Sequence, residues 1–170
     1  VTDQDINFRF DFAGGALCGY LSGQGLQRLT LYAADAQPPA LPLTAISDGA
    51  QQRRLTKMLT DYFAGKAIDL SAFPLDLRKG TAFQQRAWRA AQRIGYGQIR
   101  SYGALAEEIG SPKAARAIGT AMGANPILLL IPCHRVVAAG GALGGFGCGL
   151  PWKKRFLTLE QGTGPWRWQD

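Results

Sequence analysis

SYGALAEEIGSPKAARAIGTAM, running from Ser101 to Met122, carries two short helical periods back to back. Ser101 can cap a first helix whose Tyr102, Leu105, Ala106 and Ile109 fall at i, i+3, i+4 and i+7, and Gly110 closes it. Ser111-Pro112 then offers a cap and a first-position proline, so the spacing predicts a second helix from there to about Met122. Two short helices meeting at a tight glycine turn make a helix-turn-helix. The second helix is mostly Ala, Gly and Thr, so its backbone can approach a groove closely while Lys113 and Arg116 meet phosphates or bases. The same small residues also suit helices crowded in a core, and it is the charge distribution that favours nucleic acid.

That charge is unevenly placed. The 170 residues are 46% hydrophobic and 18% charged, enough for a real core and too apolar for a disordered tail. Nineteen Lys and Arg against twelve Asp and Glu give a formal charge of +7. Residues 1–80 hold eight basic and eight acidic side chains and the remainder eleven and four, so the whole excess accompanies the helix-turn-helix. A polyanion site belongs in the second half. Three cysteines (Cys18, Cys133, Cys148) and one histidine (His134) lack paired-ligand spacing, which argues against a structural zinc and against a disulfide framework. The odd cysteine count fits a reducing compartment, no apolar run reaches spanning length, and the polar opening VTDQD reads as no signal peptide. A cytosolic protein is expected.

Outward from the helices, Phe8, Phe10 and Phe12 alternate with polar residues, and Leu17–Leu21 and Leu26–Tyr32 follow across glycine breaks, predicting a small antiparallel sheet. Gln37–Leu43 is a proline-rich loop. Leu55, Met58, Leu59, Tyr62 and Phe63 form one helical stripe ending at Gly65, and residues 66–80 read as a connector. Thr81 can cap a helix bearing Phe83, Ala87, Ala91 and Ile94 that stops by Gly95-Tyr96-Gly97. Downstream, Ile127–Ile131 is an apolar run expected to be a buried strand or extended segment, terminated by Pro132. Pro151 opens a last helix whose Trp152, Phe156 and Leu159 should face inward and Lys153, Lys154 and Arg155 outward.

The chemistry concentrates at Cys133-His134-Arg135. A lone cysteine such as Cys18 is ordinarily a small buried hydrophobe. Cys133 differs, because an imidazole can take its proton while Arg135 and nearby helix N-termini favour the thiolate. Neighbours in extended backbone point opposite ways, so a bridging water or a turn is needed to connect His134 with the sulfur. Glu160 is the candidate to orient that base. The run Gly140–Gly149 reads as a pocket wall or lid; it has neither the strand context of a dinucleotide site nor a P-loop lysine, so no cofactor is expected.

Ile131-Pro132-Cys133-His134-Arg135-Val136-Val137 resembles the acceptor segment of the O6-alkylguanine-DNA alkyltransferases. The likeness extends through Phe83-Gln-Gln-Arg-Ala-Trp88, Ser101–Ala106, Lys113-Ala-Ala-Arg116, Asn125-Pro126 and the glycine-rich loop to Glu160. It implies an α+β protein: a small N-terminal αβ domain (1–80) with an antiparallel, RNase H-like sheet, a winged-helix-like DNA-binding domain with the active site (81–162), and a tail (163–170). It further implies irreversible, one-for-one transfer of an alkyl group from O6-alkylguanine, and O4-alkylthymine as a further lesion, in double-stranded DNA to Cys133. No metal, cofactor, nucleotide or membrane is called for, and a monomer is expected. His134 would act through water as base, Glu160 would orient it, and Asn125 would hold the turn. Tyr102 would help flip the base and Arg116 fill the vacated stack, while Lys113, Ala117, Thr120 and Arg135 would meet the DNA in the minor groove. Met122, Val136, Phe146, Gly147 and Trp152 would surround the guanine.

Three positions depart from the family pattern. Gly95 stands where proline is usual, Phe146 replaces a frequent tyrosine, and Cys148 interrupts a glycine run and is expected to narrow the pocket or to add a second thiol near Cys133. The competing readings are a damage-recognition module that accepts no group, a winged-helix regulator, which leaves Cys133-His134 without purpose, and a thiol hydrolase, whose Cys-His pair is normally assembled from distant segments.

Overall fold

The computed structural model describes residues 6–39 and 49–161. Part of the proline-rich loop and the Trp166-Arg167-Trp168 tail lie outside the described residues. The chain folds as two compact units, one of Val1–Leu77 with Pro126–Leu128 and one of Arg78–Asn125 with Leu129–Asp170.

In the first unit the alternating phenylalanines form β1 (Phe8–Phe12), followed by β2 (Gly15–Ser22) and β3 (Gly25–Ala33). The order is β1-β2-β3, antiparallel throughout, with Phe8 opposite Gly19 and Gly15 opposite Ala33, and a register shift at Tyr20/Leu21. Ile6, Ala16 and Cys18 are buried together, so Cys18 is the inert hydrophobe expected of it. The stripe of α1 (Ala50–Phe63) buries Leu55, Leu59 and Tyr62, and Phe63 stacks on Phe12 with ring centroids 4.2 Å apart. Ile127 does not begin a strand. It makes one parallel bridge to Leu29, with Leu29 N donating to Pro126 O at 2.9 Å and Leu128 N to Leu29 O at 3.0 Å. The run then breaks into a turn at Leu129, whose φ of 68° ends any ladder.

In the second unit Thr81 caps α2 (Ala82–Gln92) reciprocally with Gln84, and Trp88 Nε1 donates to Ala121 O at 2.8 Å. Ser101 accepts from Ala104 N and starts α3 (Tyr102–Glu108), which ends at Gly110 with φ 70°, a conformation glycine adopts without steric cost. The following helix begins later than its Ser-Pro signal suggests. Pro112 and Lys113 are spent on a turn closed by Ala114 N to Ser111 O (2.8 Å), and α4 spans Ala115–Gly123. Ile118, Ala121 and Met122 of α4 are buried while Arg116, Ala117 and Thr120 are exposed.

A two-residue parallel ladder pairs β4 (Arg100–Ser101) with β5 (Val136–Val137). Between α4 and β5 the Cys133–Arg135 segment forms a single 3-10 turn. The last helix, α5 (Leu150–Gln161), is rotated from its expected setting. Lys153, Phe156, Leu157 and Glu160 point inward, Leu159 is only half-buried, and Arg155 is exposed. Positions 153, 156, 157 and 160 are themselves an i, i+3, i+4, i+7 stripe whose two ends are charged. Among the described residues no helix is long and apolar enough to cross a membrane.

Candidate active site

Cys133 lies at a cavity of about 320 Å³ walled by Tyr102, Gly119, Met122, Gly123, Gly145, Phe146 and Gly147. These residues come from the start of α3, the inner side of α4 and the glycine-rich loop. The loop touches Tyr102 closely: Gly144 has φ 66°, and a Cβ there would meet the tyrosine ring and hydroxyl at 2.9 Å. Tyr102 Oη donates to Gly145 O at 3.5 Å, and burial raises its pKa, so it stays a phenol and a donor.

Burial drives the Cys133 thiol up to about 11, against smaller lowering effects that include the hydrogen bond from Asn125. The expected thiolate is therefore not the resting form; proton removal must accompany any attack by sulfur. Asn125 Nδ2 donates both to Ile131 O at 2.8 Å and to Cys133 Sγ at 3.1 Å, bracing the turn and touching the sulfur together.

Behind the sulfur, His134 is fully buried and its Nε2 lies 2.7 Å from Glu160 Oε1. Burial raises the Glu160 carboxyl, but hydrogen bonds and charge from His134 and Arg135 outweigh it and hold the group down at about 2. An ionised Glu160 only accepts, so Nε2 carries the imidazole proton and Nδ1 is an acceptor. Nδ1 is buried without a protein hydrogen-bond partner among the described residues. Burial also lowers the pKa of His134, more than Glu160 raises it, leaving a neutral ring.

Arg135 is not where the sequence reading put it. It is 4% exposed and bonded to Glu160 and Ile94 O, so it cannot reach an external ligand. Lys153, expected outside, is fully buried and donates to the carbonyls of Val136 (2.6 Å), Leu143 (2.5 Å) and Gly145 (3.3 Å). Burial lowers its pKa to about 8. Val136 thus has its carbonyl engaged by a lysine and does not line the cavity; nor does Trp152, which packs on Phe156 and under Arg155. Cys148 is half-buried, and the cavity wall stops at Gly147, so it does not narrow the space. Lys113, Arg116, Ala117 and Thr120 are together on the outside of α4 and its leading turn. Sequence reading missed Lys153 altogether. Its signal was the i, i+3, i+4, i+7 relation to Phe156, Leu157 and Glu160. Among the described residues no three His, Cys, Asp or Glu side chains cluster as a metal would need.

Residues 82–162 match the family described as 6-O-methylguanine DNA methyltransferase, DNA binding domain. A methylated-DNA–protein-cysteine methyltransferase of Mycolicibacterium paratuberculosis is 51% identical over 109 residues, 64% of this chain and 65% of that protein. The match thus spans just under two thirds of that relative's length. A protein of the same name from Methanosarcina mazei is 37% identical over 139 residues, 81% of this chain and 85% of the relative. Among solved structures, Mycobacterium tuberculosis OGT in complex with DNA covers 92% of this chain and 93% of its own at 39% identity, with a TM-score of 0.75.

Proposed function

Because this chain belongs to the methylated-DNA–protein-cysteine methyltransferase family, we propose that it repairs DNA by taking an alkyl group from guanine O6 onto Cys133, once per molecule. The observation that carries this reading is a buried thiol at a cavity wall, touched by Asn125 and followed in its turn by a neutral histidine whose Nδ1 faces no protein partner. In the step, the S–C bond forms as the C–O6 bond breaks. The thiol proton passes through water to His134 Nδ1, and Tyr102 Oη stabilises the electron pair left on O6. The product is a thioether, which water does not reverse.

Reaching O6 requires the base to leave the stack, so base flipping belongs to the proposal, with Tyr102 helping rotation and Arg116 entering the gap. The exposed side of α4, with Lys113, Arg116, Ala117 and Thr120, supports a minor-groove approach by a small-residue helix. Double-stranded DNA is the partner, one chain per lesion, and O4-alkylthymine is included as a second lesion of the same chemistry. The test is intact-protein and peptide mass after incubation with a duplex containing O6-methylguanine, with unmodified duplex and Cys133→Ser as controls. One methyl on the Cys133 peptide, matched by lost lesion, is the expected result. No added mass on the native chain would refute transfer, and lesion-selective binding without it would make the protein a recognition module.

A further inference from the structure

Arg135 has no part in the reaction as described, yet its guanidinium makes three hydrogen bonds beside it, two of them to Glu160. Its Nε donates to Glu160 Oε2 and its Nη2 to Glu160 Oε1, each at 2.9 Å, while Nη1 donates to Ile94 O at 2.5 Å. Gly97 N adds a fourth donor to the carboxylate at 3.3 Å. Glu160 Oε1 is therefore shared between the guanidinium and the imidazole, with both Glu160 and His134 side chains fully enclosed. A histidine beside a lone buried carboxylate is drawn toward imidazolium, which cannot accept a proton. Here a planar, permanently charged fork already occupies both oxygens of that carboxylate, a geometry a lysine ammonium does not reproduce.

We propose that Arg135 is a positioning residue for alkyl transfer, aiming Glu160 at His134 with its fork and neutralising that carboxylate so that the imidazole stays an uncharged base. The inference rests on the reading of His134 as the group that accepts the thiol proton. Every charged or titratable group facing the ring has a definite sense. From α5, Glu160 favours protonation and Lys153 opposes it; from the ring's own turn, Arg135 opposes it. Cys133 beside it and Tyr96, after α2, are both held in their neutral forms, chiefly by burial. Burial of the ring itself opposes its protonation most strongly.

His134 is the sole histidine in the chain, so its ring-proton NMR titration needs no assignment. The native protein should titrate below the ordinary 6.5. Arg135→Met removes the charge at similar volume and should move that midpoint up by about one pH unit or more. Single-turnover transfer by this variant should lose about tenfold at a pH one unit below its new midpoint, where the base is protonated. Arg135→Lys keeps the charge but not the fork; it should hold the native midpoint and transfer more slowly at every pH. A native midpoint above 6.5, an unmoved midpoint in Arg135→Met, or a native transfer rate in Arg135→Lys would each overturn the proposal. If Arg135→Met does not fold, the native titration and the lysine variant decide. Because the titration needs no transfer, absence of transfer in the native chain would refute the repair reading while the NMR midpoints still judge Arg135.

Discussion

Helices α4 and α5 belong to the same unit, with two polar side chains in α4 and six in α5, and they place them oppositely. The α4 helix follows its pattern, with Ile118, Ala121 and Met122 inside and Arg116, Ala117 and Thr120 outside. In α5 a lysine and a glutamate go in and Leu150, an apolar residue, is left exposed. Burying charge is costly unless every donor and acceptor is met, and α5 meets that condition through three carbonyls for Lys153 and the His134–Arg135 pair for Glu160. In the proposed reading, one helix is the surface offered to DNA and the other the internal frame of the site. Where a helix breaks its hydrophobic pattern without disorder, the exceptions mark the chemistry.

The sharpest way to break that contrast is Lys153→Met. It restores apolar character inside α5 but leaves the carbonyls of Val136, Leu143 and Gly145 without their donor, so we expect a loss of about 3–5 kcal/mol in denaturant unfolding. Equal or greater stability would mean that the buried lysine is replaceable packing. Acid provides the next test. Glu160 is held at about 2 against 4.5 in the unfolded chain, so its contribution is full above 4.5 and disappears as the pH falls toward 2. We expect about 3 kcal/mol of stability lost across that window, and Glu160→Gln should flatten the dependence. Next comes the thiol. With Cys133 raised to about 11 from 9, peptide-resolved iodoacetamide labelling at pH 8 should be about 100-fold slower than for a free cysteine. On α4 the effect is smallest and purely functional. Arg116→Ala should stay within about 0.5 kcal/mol of native stability. It should slow single-turnover repair by about tenfold, the order of one lost stacking contact. A stability change as large as that of Lys153→Met would erase the distinction between the two helices.

The same contrast explains what could be read from the residues. The sheet, α1, α2 and α3 announce themselves by alternation, by the 55/59/62 stripe and by Thr81 and Ser101, because local propensity and burial agree there. The start of α4 was placed three residues early because a proline after serine serves a turn as well as a helix. The apolar run at Ile127 misled for a related reason, since periodicity does not distinguish a strand from a buried turn. In the site, the Cys133, His134, Glu160 and Asn125 grouping was legible from its motif. The placement of Arg135 and Lys153 was not, because solvent exposure is the ordinary state of a cation and only the folded partners reveal the exception. The 3-10 turn at Cys133–Arg135 was likewise foreseen only as one of two ways to connect a thiol with its neighbour.

The β4–β5 ladder is only two residues long, yet Ser101 is its last residue on one side and the cap of α3 on the other. Tyr102 follows it directly, and Val136 directly follows the turn that carries Cys133. Tyr102 follows the ladder with no residue between, and only His134 and Arg135 separate Cys133 from it, so the ladder sets the spacing of two side chains that line one cavity. A single-residue insertion after Ser101 would swing Tyr102 by about 100° around its helix. Insertions should therefore cost more than substitutions at this point, and insertion scanning should find transfer lost across residues 99–104 and 132–138 but retained at the exposed glycines 140 and 141.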